Sequence, residues 1–322
     1  MSETTRLTSI PIGEYEPDPM WSGLPDGVSY GGAATSVAVD SKDNVYVFNR
    51  GPVPVVVLDS GGSVVNGWGT GEFVMPHGVS IDPEDNLWAV DLKHTVHKRT
   101  AEGATLLTIG DRTSSPPFSG APFNRPTDAV VHPPTGDVFV TDGYRNAAVH
   151  RFSPDGELKY SWGGPGSDPG EFSLPHGLCF VGEDRVLISD RENFRLQLFT
   201  LEGEYVAQWH TYYPQCLRSV PMAGGGTAIF VGEGPRVQYQ RDVPNIGCRV
   251  RVLDETGQEI GRIGTGKWGF DADAFVSIHG IAVDSQGDVY IAETPFATIV
   301  HYYGEPAPES EPVSLRKWCR RR

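Results

Sequence analysis

The feature that most constrains this chain is a unit of four short strands that recurs along almost its whole length. Each unit opens with an apolar run that closes on an acid or its equivalent: Val37 to Asp40, Val79 to Asp82, Ala129 to His132, Leu178 to Val181 and Ile281 to Asp284. A tight turn follows, such as Lys42-Asp43-Asn44, Glu84-Asp85-Asn86 or Gln286-Gly287-Asp288, and then a run of β-branched and aromatic residues, such as Val45-Tyr46-Val47-Phe48 or Val289-Tyr290-Ile291. This is the pattern of an antiparallel hairpin. A third apolar run leads through a second Asp/Gly turn into a fourth strand, which ends in Trp68-Gly69 and Trp162-Gly163 in two of the units. Four strands repeating every 40 to 50 residues or so predict a β-propeller blade.

Six units are visible, near residues 32–70, 73–111, 123–166, 172–210, 212–266 and 275–304. The last is one strand short, and the segment near Leu7 to Tyr15 is expected to supply the missing outer strand. The chain therefore reads as one all-β domain, a six-bladed propeller over residues 1–310, followed by a solvated basic tail over 311–322 that carries Arg316, Lys317 and Arg320 to Arg322.

Composition narrows the possible partners. The 39 glycines and 26 prolines suit a chain made of turns, and no stretch has sustained helical periodicity. A formal net charge of −15 excludes a broad nucleic-acid face, because phosphate binding needs a basic one. No charged-then-apolar leader and no run of membrane-spanning length is present. Four cysteines at irregular spacing (Cys179, Cys216, Cys248, Cys319) fit reduced thiols. A cytoplasmic protein with no membrane partner is expected.

Three histidines share one position in alternate units: Met75-Pro76-His77-Gly78, Leu174-Pro175-His176-Gly177 and Ser277-Ile278-His279-Gly280, 99 and 103 residues apart. Aligning the units on their first strand places Thr35, His77, Thr127, His176, Arg218 and His279 in register. In a closed propeller such residues face the central channel. Imidazoles from alternate blades would then converge as a three-nitrogen site with one position open, the arrangement of a catalytic zinc. Each histidine alone could instead simply bond a neighbouring carbonyl. His94, His97, His132, His150, His210 and His301 fall outside this register and read as packing or surface residues.

The motifs Met-Pro-His-Gly and Leu-Pro-His-Gly, with Asn124-Arg125-Pro126-Thr127-Asp128, Asp142-Gly143-Tyr144 and Ser189-Asp190-Arg191-Glu192-Asn193, resemble those of peptidyl-α-hydroxyglycine α-amidating lyases, six-bladed propellers with NHL-type repeats. The similarity is clearest over residues 73–209. It implies one zinc per chain held by His77, His176 and His279, a general base at Tyr144, a substrate-binding arginine at Arg50 and a second site arginine at Arg191. Tyr144, Arg191 and Arg50 all follow equivalent second strands, so they belong to the same end of their blades. A phenol titrates near 10 and acts as a base only where cations favour its anion. Arg218, the register residue of the fifth unit, is a further candidate for substrate binding. Asp142, Asp190 and Asn193 read as turn-holding residues.

The implied substrate is a small or short peptide-like molecule with a carbinolamide group, cleaved at its C–N bond to an amide and glyoxylate or an aldehyde. Three departures stand out. Arg145 occupies the place of a disulfide cysteine of secreted relatives, Ser277 replaces a methionine, and Gly280 replaces an aspartate that helps bind a structural calcium. That calcium therefore loses a ligand here. Other readings stay open: a ureidoglycolate-type lyase, a lactonase or streptogramin-lyase-like propeller enzyme, or a non-catalytic NHL scaffold that binds proteins.

Overall fold

The computed structural model describes residues 13–21 and 24–321. They form six four-stranded antiparallel sheets with only short helical turns between them, and the fold class is the six-bladed β-propeller. No helix among the described residues is long and apolar enough to cross a membrane.

In blades one, two and six the first hairpin is fixed by one buried aspartate. In blade one (Ala34–Val39, Val45–Asn49, Val55–Leu58, Val64–Trp68) Asp40 Oδ1 accepts the backbone N–H groups of Lys42 and Asn44 at 2.9 and 2.8 Å, and Oδ2 accepts the Tyr46 hydroxyl at 3.2 Å. Asp82 does the same with Glu84, Asn86 and the Trp88 indole, and Asp284 with Gln286, Asp288 and Tyr290. The side chain closes the turn and also anchors an aromatic of the second strand, so the acid, the turn and the aromatic recur as one unit.

A second buried acid ends the second strand of most blades and holds the loop entering the first strand. Asp91 accepts from the backbone of Val74 and Met75, Asp142 from Asn124, Asp190 from Ser173, and Glu293 from Val276 and Ser277. Asp142 and Asp190 are thus the turn-holders that their sequence context suggests. Their burial requires compensation, which comes from Arg195 on Asp190 at 2.7 Å and Arg316 on Glu293 at 2.8 Å.

Two compact units are distinguished. The unit of residues 71–217 contains blade two (Pro76–Ile81, Leu87–Asp91, Thr95–Arg99, Thr105–Ile109), blade three (Asp128–Val131, Val138–Asp142, Ala148–Phe152, Leu158–Gly163) and blade four (Pro175–Val181, Arg185–Asp190, Arg195–Thr200, Tyr205–His210). Its core lies between blade faces, as where Phe139 and Val149 meet Phe172, Leu178 and Phe199. The other unit, residues 7–70 and 218–322, contains blades one and six and most of blade five (Pro214–Pro221, Thr227–Glu233, Arg249–Leu253, Glu259–Ile263).

Blade six differs from its sequence reading. Its order is Tyr15–Pro17, Leu315–Arg320, Val289–Glu293, Ile278–Val283, so an N-terminal strand does complete it, at Tyr15–Pro17. Residues 7–12 of the expected closing segment lie outside the described residues. The basic stretch read as a solvated tail is instead the third strand, paired with Val289–Glu293. Its cations point at acids: Arg316 at the buried Glu293, and Lys317 at the half-buried Asp288, 3.1 Å away, across the rings of Trp21 and Tyr290.

Candidate functional site

The glycine after each histidine explains how the first strands come close. A Cβ on Gly78 would lie 2.5 Å from Thr127 O, and one on Gly280 would lie 2.7 Å from Ser36 Cα. Only glycine allows this approach. It brings each histidine ring against the carbonyl of the next first strand: His77 Nδ1 is 2.6 Å from Thr127 O, His176 Nδ1 is 2.6 Å from Gln215 O, and His279 Nδ1 is 2.7 Å from Thr35 O. A carbonyl only accepts, so Nδ1 must carry the hydrogen in all three rings. Nε2 is then left as a lone-pair donor on a neutral imidazole, the form that ligates zinc.

All three histidines are buried. In the unit of residues 71–217, the ligand nitrogens of His77 and His176 lie within 4.8 Å of each other. The donors are of a kind that suits a divalent metal such as zinc: imidazole nitrogens whose rings are already oriented by a hydrogen bond from Nδ1 to a backbone carbonyl. The packing around Gly280 leaves no space for a carboxylate side chain at that position.

Tyr144, two residues beyond the second strand of blade three, places its hydroxyl 3.2 Å from His77 Nε2 and 3.3 Å from His176 Nε2. Gly143 permits this, because a Cβ there would lie 2.1 Å from Pro175 O. Arg191, one residue beyond the second strand of blade four, lies with its guanidinium carbon 5.4 Å from the centre of the Tyr144 ring and 5.1 Å from that of Tyr213. It donates to Glu192 Oε1 at 3.0 and 2.9 Å and to Gln215 Oε1 at 3.2 Å, and Tyr213 donates to the same Glu192 oxygen at 2.8 Å. Burial opposes the charge of Arg191, but Tyr144, Tyr213 and Glu192 outweigh it, and its pKa is raised above the ordinary arginine value.

Four of the sequence candidates, His77, His176, Tyr144 and Arg191, therefore meet in one unit. His279, Arg50 and Arg218 belong to the other. Arg50 follows the second strand of blade one with an exposed side chain, and its N–H donates to Ala33 O at 3.1 Å. Arg218 is not the register residue of blade five. The carbonyls that receive the histidines come from Thr127, Thr35 and Gln215, so Gln215 holds that position, and Arg218 lies three residues further along with its Nε 3.4 Å from Ile281 O. Gln215, which also accepts from Arg191, is the residue of this cluster that the sequence reading passed over. The signal was there, since Pro214-Gln215-Cys216-Leu217 aligns directly with Pro175-His176-Gly177-Leu178. His97, His132 and His150 are buried packing residues.

A family model for the NHL repeat matches residues 172–199, which cover blade four's first three strands. The chain is a six-bladed β-propeller with one segment that matches the NHL repeat. In sequence it is peptidyl-α-hydroxyglycine α-amidating lyase-like. It is 32% identical to peptidyl-alpha-hydroxyglycine alpha-amidating lyase 1 of Drosophila melanogaster over 81% of this chain and 55% of that protein. It is 30% identical to peptidyl-glycine alpha-amidating monooxygenase B of Xenopus laevis over 86% of this chain. The chain spans 34% of the length of the Xenopus relative. In structure it is similar to a gluconolactonase of Xanthomonas campestris, with a TM-score of 0.59 at 15% identity over 97% of this chain and 99% of that one, which bears on the fold alone.

Proposed function

We propose that this protein is a zinc-dependent carbon–nitrogen lyase acting on a carbinolamide, R–CO–NH–CH(OH)–COO⁻, to release the amide R–CO–NH₂ and glyoxylate. The observation that carries the reading is the Tyr144 hydroxyl within hydrogen-bonding reach of Nε2 of both His77 and His176, two rings whose Nδ1 atoms are already committed to carbonyls. The amidating-lyase relatives support it independently. In this reading His77, His176 and His279 hold one zinc, which would supply Lewis-acid stabilisation of the charge that develops on the substrate oxygen.

The remaining work falls to the protein's own side chains. Tyr144 takes the proton of the substrate hydroxyl. The O–H electron pair becomes the new C=O bond, the C–N pair leaves on nitrogen, and Tyr144 returns the proton to that nitrogen, so the reaction consumes nothing else. Arg191, in contact with the Tyr144 ring, stabilises negative charge passing through the phenol. Arg50 grips the carboxylate through its planar guanidinium and fixes the direction of the C–N bond. The net charge of −15 fits a small or short peptide-like substrate better than a nucleic acid.

The test is metal analysis of the purified protein together with glyoxylate release from α-hydroxyhippurate and from ureidoglycolate. About one zinc per chain with glyoxylate formed is expected, and neither activity should survive in Tyr144→Phe. Zinc binding with no glyoxylate from either compound would reject the reaction while keeping the metal site.

A further inference from the structure

The unit of residues 71–217 contains a cavity of about 510 Å³ that no role assigned so far explains. Tyr144 forms part of its wall. So do Phe172 and Leu174, which lead into the strand of His176, and Ala147, which follows Tyr144. Phe172 and Ala147 are almost fully buried and make an apolar floor, while Phe118 overhangs the side, 57% exposed. The Phe118 loop is tied to the residue after Tyr144, since Phe118 N–H donates to Arg145 O at 2.9 Å. Glu192 lines the edge, with Oε1 fixed by Arg191 and Tyr213.

The charge of the lining decides which end of a substrate belongs here. None of the lining residues is cationic, and the one carboxylate, Glu192, is already paired with Arg191. A carboxylate-bearing end therefore meets no free cation here, whereas the volume is within the range of small-molecule sites and an apolar floor of Phe172 and Ala147 sits beside polar walls of Ser167, Ser173 and Asn193. We propose that this cavity is the acyl subsite and that it selects substrates whose R group is uncharged, carries an apolar face and is at least the size of an aromatic ring, in preference to the small carbamoyl group of ureidoglycolate. This inference rests on the lyase reading for the identity of its ligand.

The experiment compares kcat/KM for glyoxylate release from the benzoyl and acetyl derivatives of α-hydroxyglycine and from ureidoglycolate. In parallel, benzamide and acetamide, the two product amides, are titrated into the intact protein by NMR, a readout that needs no turnover. The benzoyl substrate and benzamide should each be favoured by about tenfold or more, the scale of a filled apolar pocket. Phe118→Ala and Leu174→Ala should each cut that preference several-fold. Should Leu174→Ala fail to fold, Phe118→Ala at its exposed position still decides the matter. Benzamide that binds no better than acetamide, or a preference unchanged in Phe118→Ala, overturns the subsite. Preferential benzamide binding without glyoxylate from any substrate would instead refute the lyase reading and leave an apolar ligand site.

Discussion

Replacing Gln215 by leucine isolates one contact in the proposed site. The side chain keeps nearly its volume, and the backbone carbonyl that receives His176 Nδ1 is untouched. What disappears is the 3.2 Å bond from Arg191 to Gln215 Oε1, between two buried residues. A hydrogen bond to a charged group contributes about 1.5–3 kcal/mol, and its loss leaves a buried N–H of Arg191 without this acceptor. If Arg191 must lie over the Tyr144 ring for proton transfer, that loss appears in the transition state. At 1.4 kcal/mol per factor of ten, kcat should fall about 10- to 100-fold. KM should move little, because the bond does not touch substrate. Gln215→Glu, which keeps an acceptor oxygen, should recover most of the rate. Steady-state glyoxylate assays on the three proteins decide the matter. Wild-type kcat in Gln215→Leu would refute the positioning role, and so would a Gln215→Glu variant as slow as the leucine variant.

Two further outcomes follow from the packing. Gly143→Ala forces a Cβ to 2.1 Å from Pro175 O, a clash with rigid backbone, and should cost roughly 3 kcal/mol of stability; a thermal unfolding midpoint equal to wild type would contradict this. His97 is held by the hydroxyls of Thr95 and Thr108, and burial, helped by Arg99, lowers its pKa from 6.5 to about 4. The unfolded chain therefore binds a proton between those values that the folded one refuses. Stability is unaffected by this group above pH 6.5 and falls by up to about 3 kcal/mol as pH drops toward 4. Urea midpoints measured across that range should show the loss in wild type and a shallower slope in His97→Gln; parallel curves would remove His97 as the cause.

Much of this was legible in the sequence because the repeat encodes its own hardware. Asp40, Asp82 and Asp284 each serve a turn and an aromatic six residues on, so the hairpins are visible locally. The Pro-His-Gly motif was equally readable, since histidine and glycine serve one strand approach. Two features were not. In blade five the residue after the register position is Cys216 rather than glycine, which hid Gln215 and let the alignment slip to Arg218. The strand Leu315–Arg320 looked like a tail because basic residues normally mark solvent, and because the turn Ala297–Tyr302 separates it from its hairpin partner. Its basic character instead reflects buried acids, Glu293 above all, that need cations from a neighbouring strand.

The central claim is tested most directly by zinc content, measured by mass spectrometry on protein prepared without chelators and reloaded with a slight excess of zinc before desalting. The account predicts about one zinc per chain in the wild type and strongly reduced occupancy in each of His77→Ala, His176→Ala and His279→Ala, all three folded. A wild-type protein that retains no zinc, or any one of these variants that retains it fully, would contradict it.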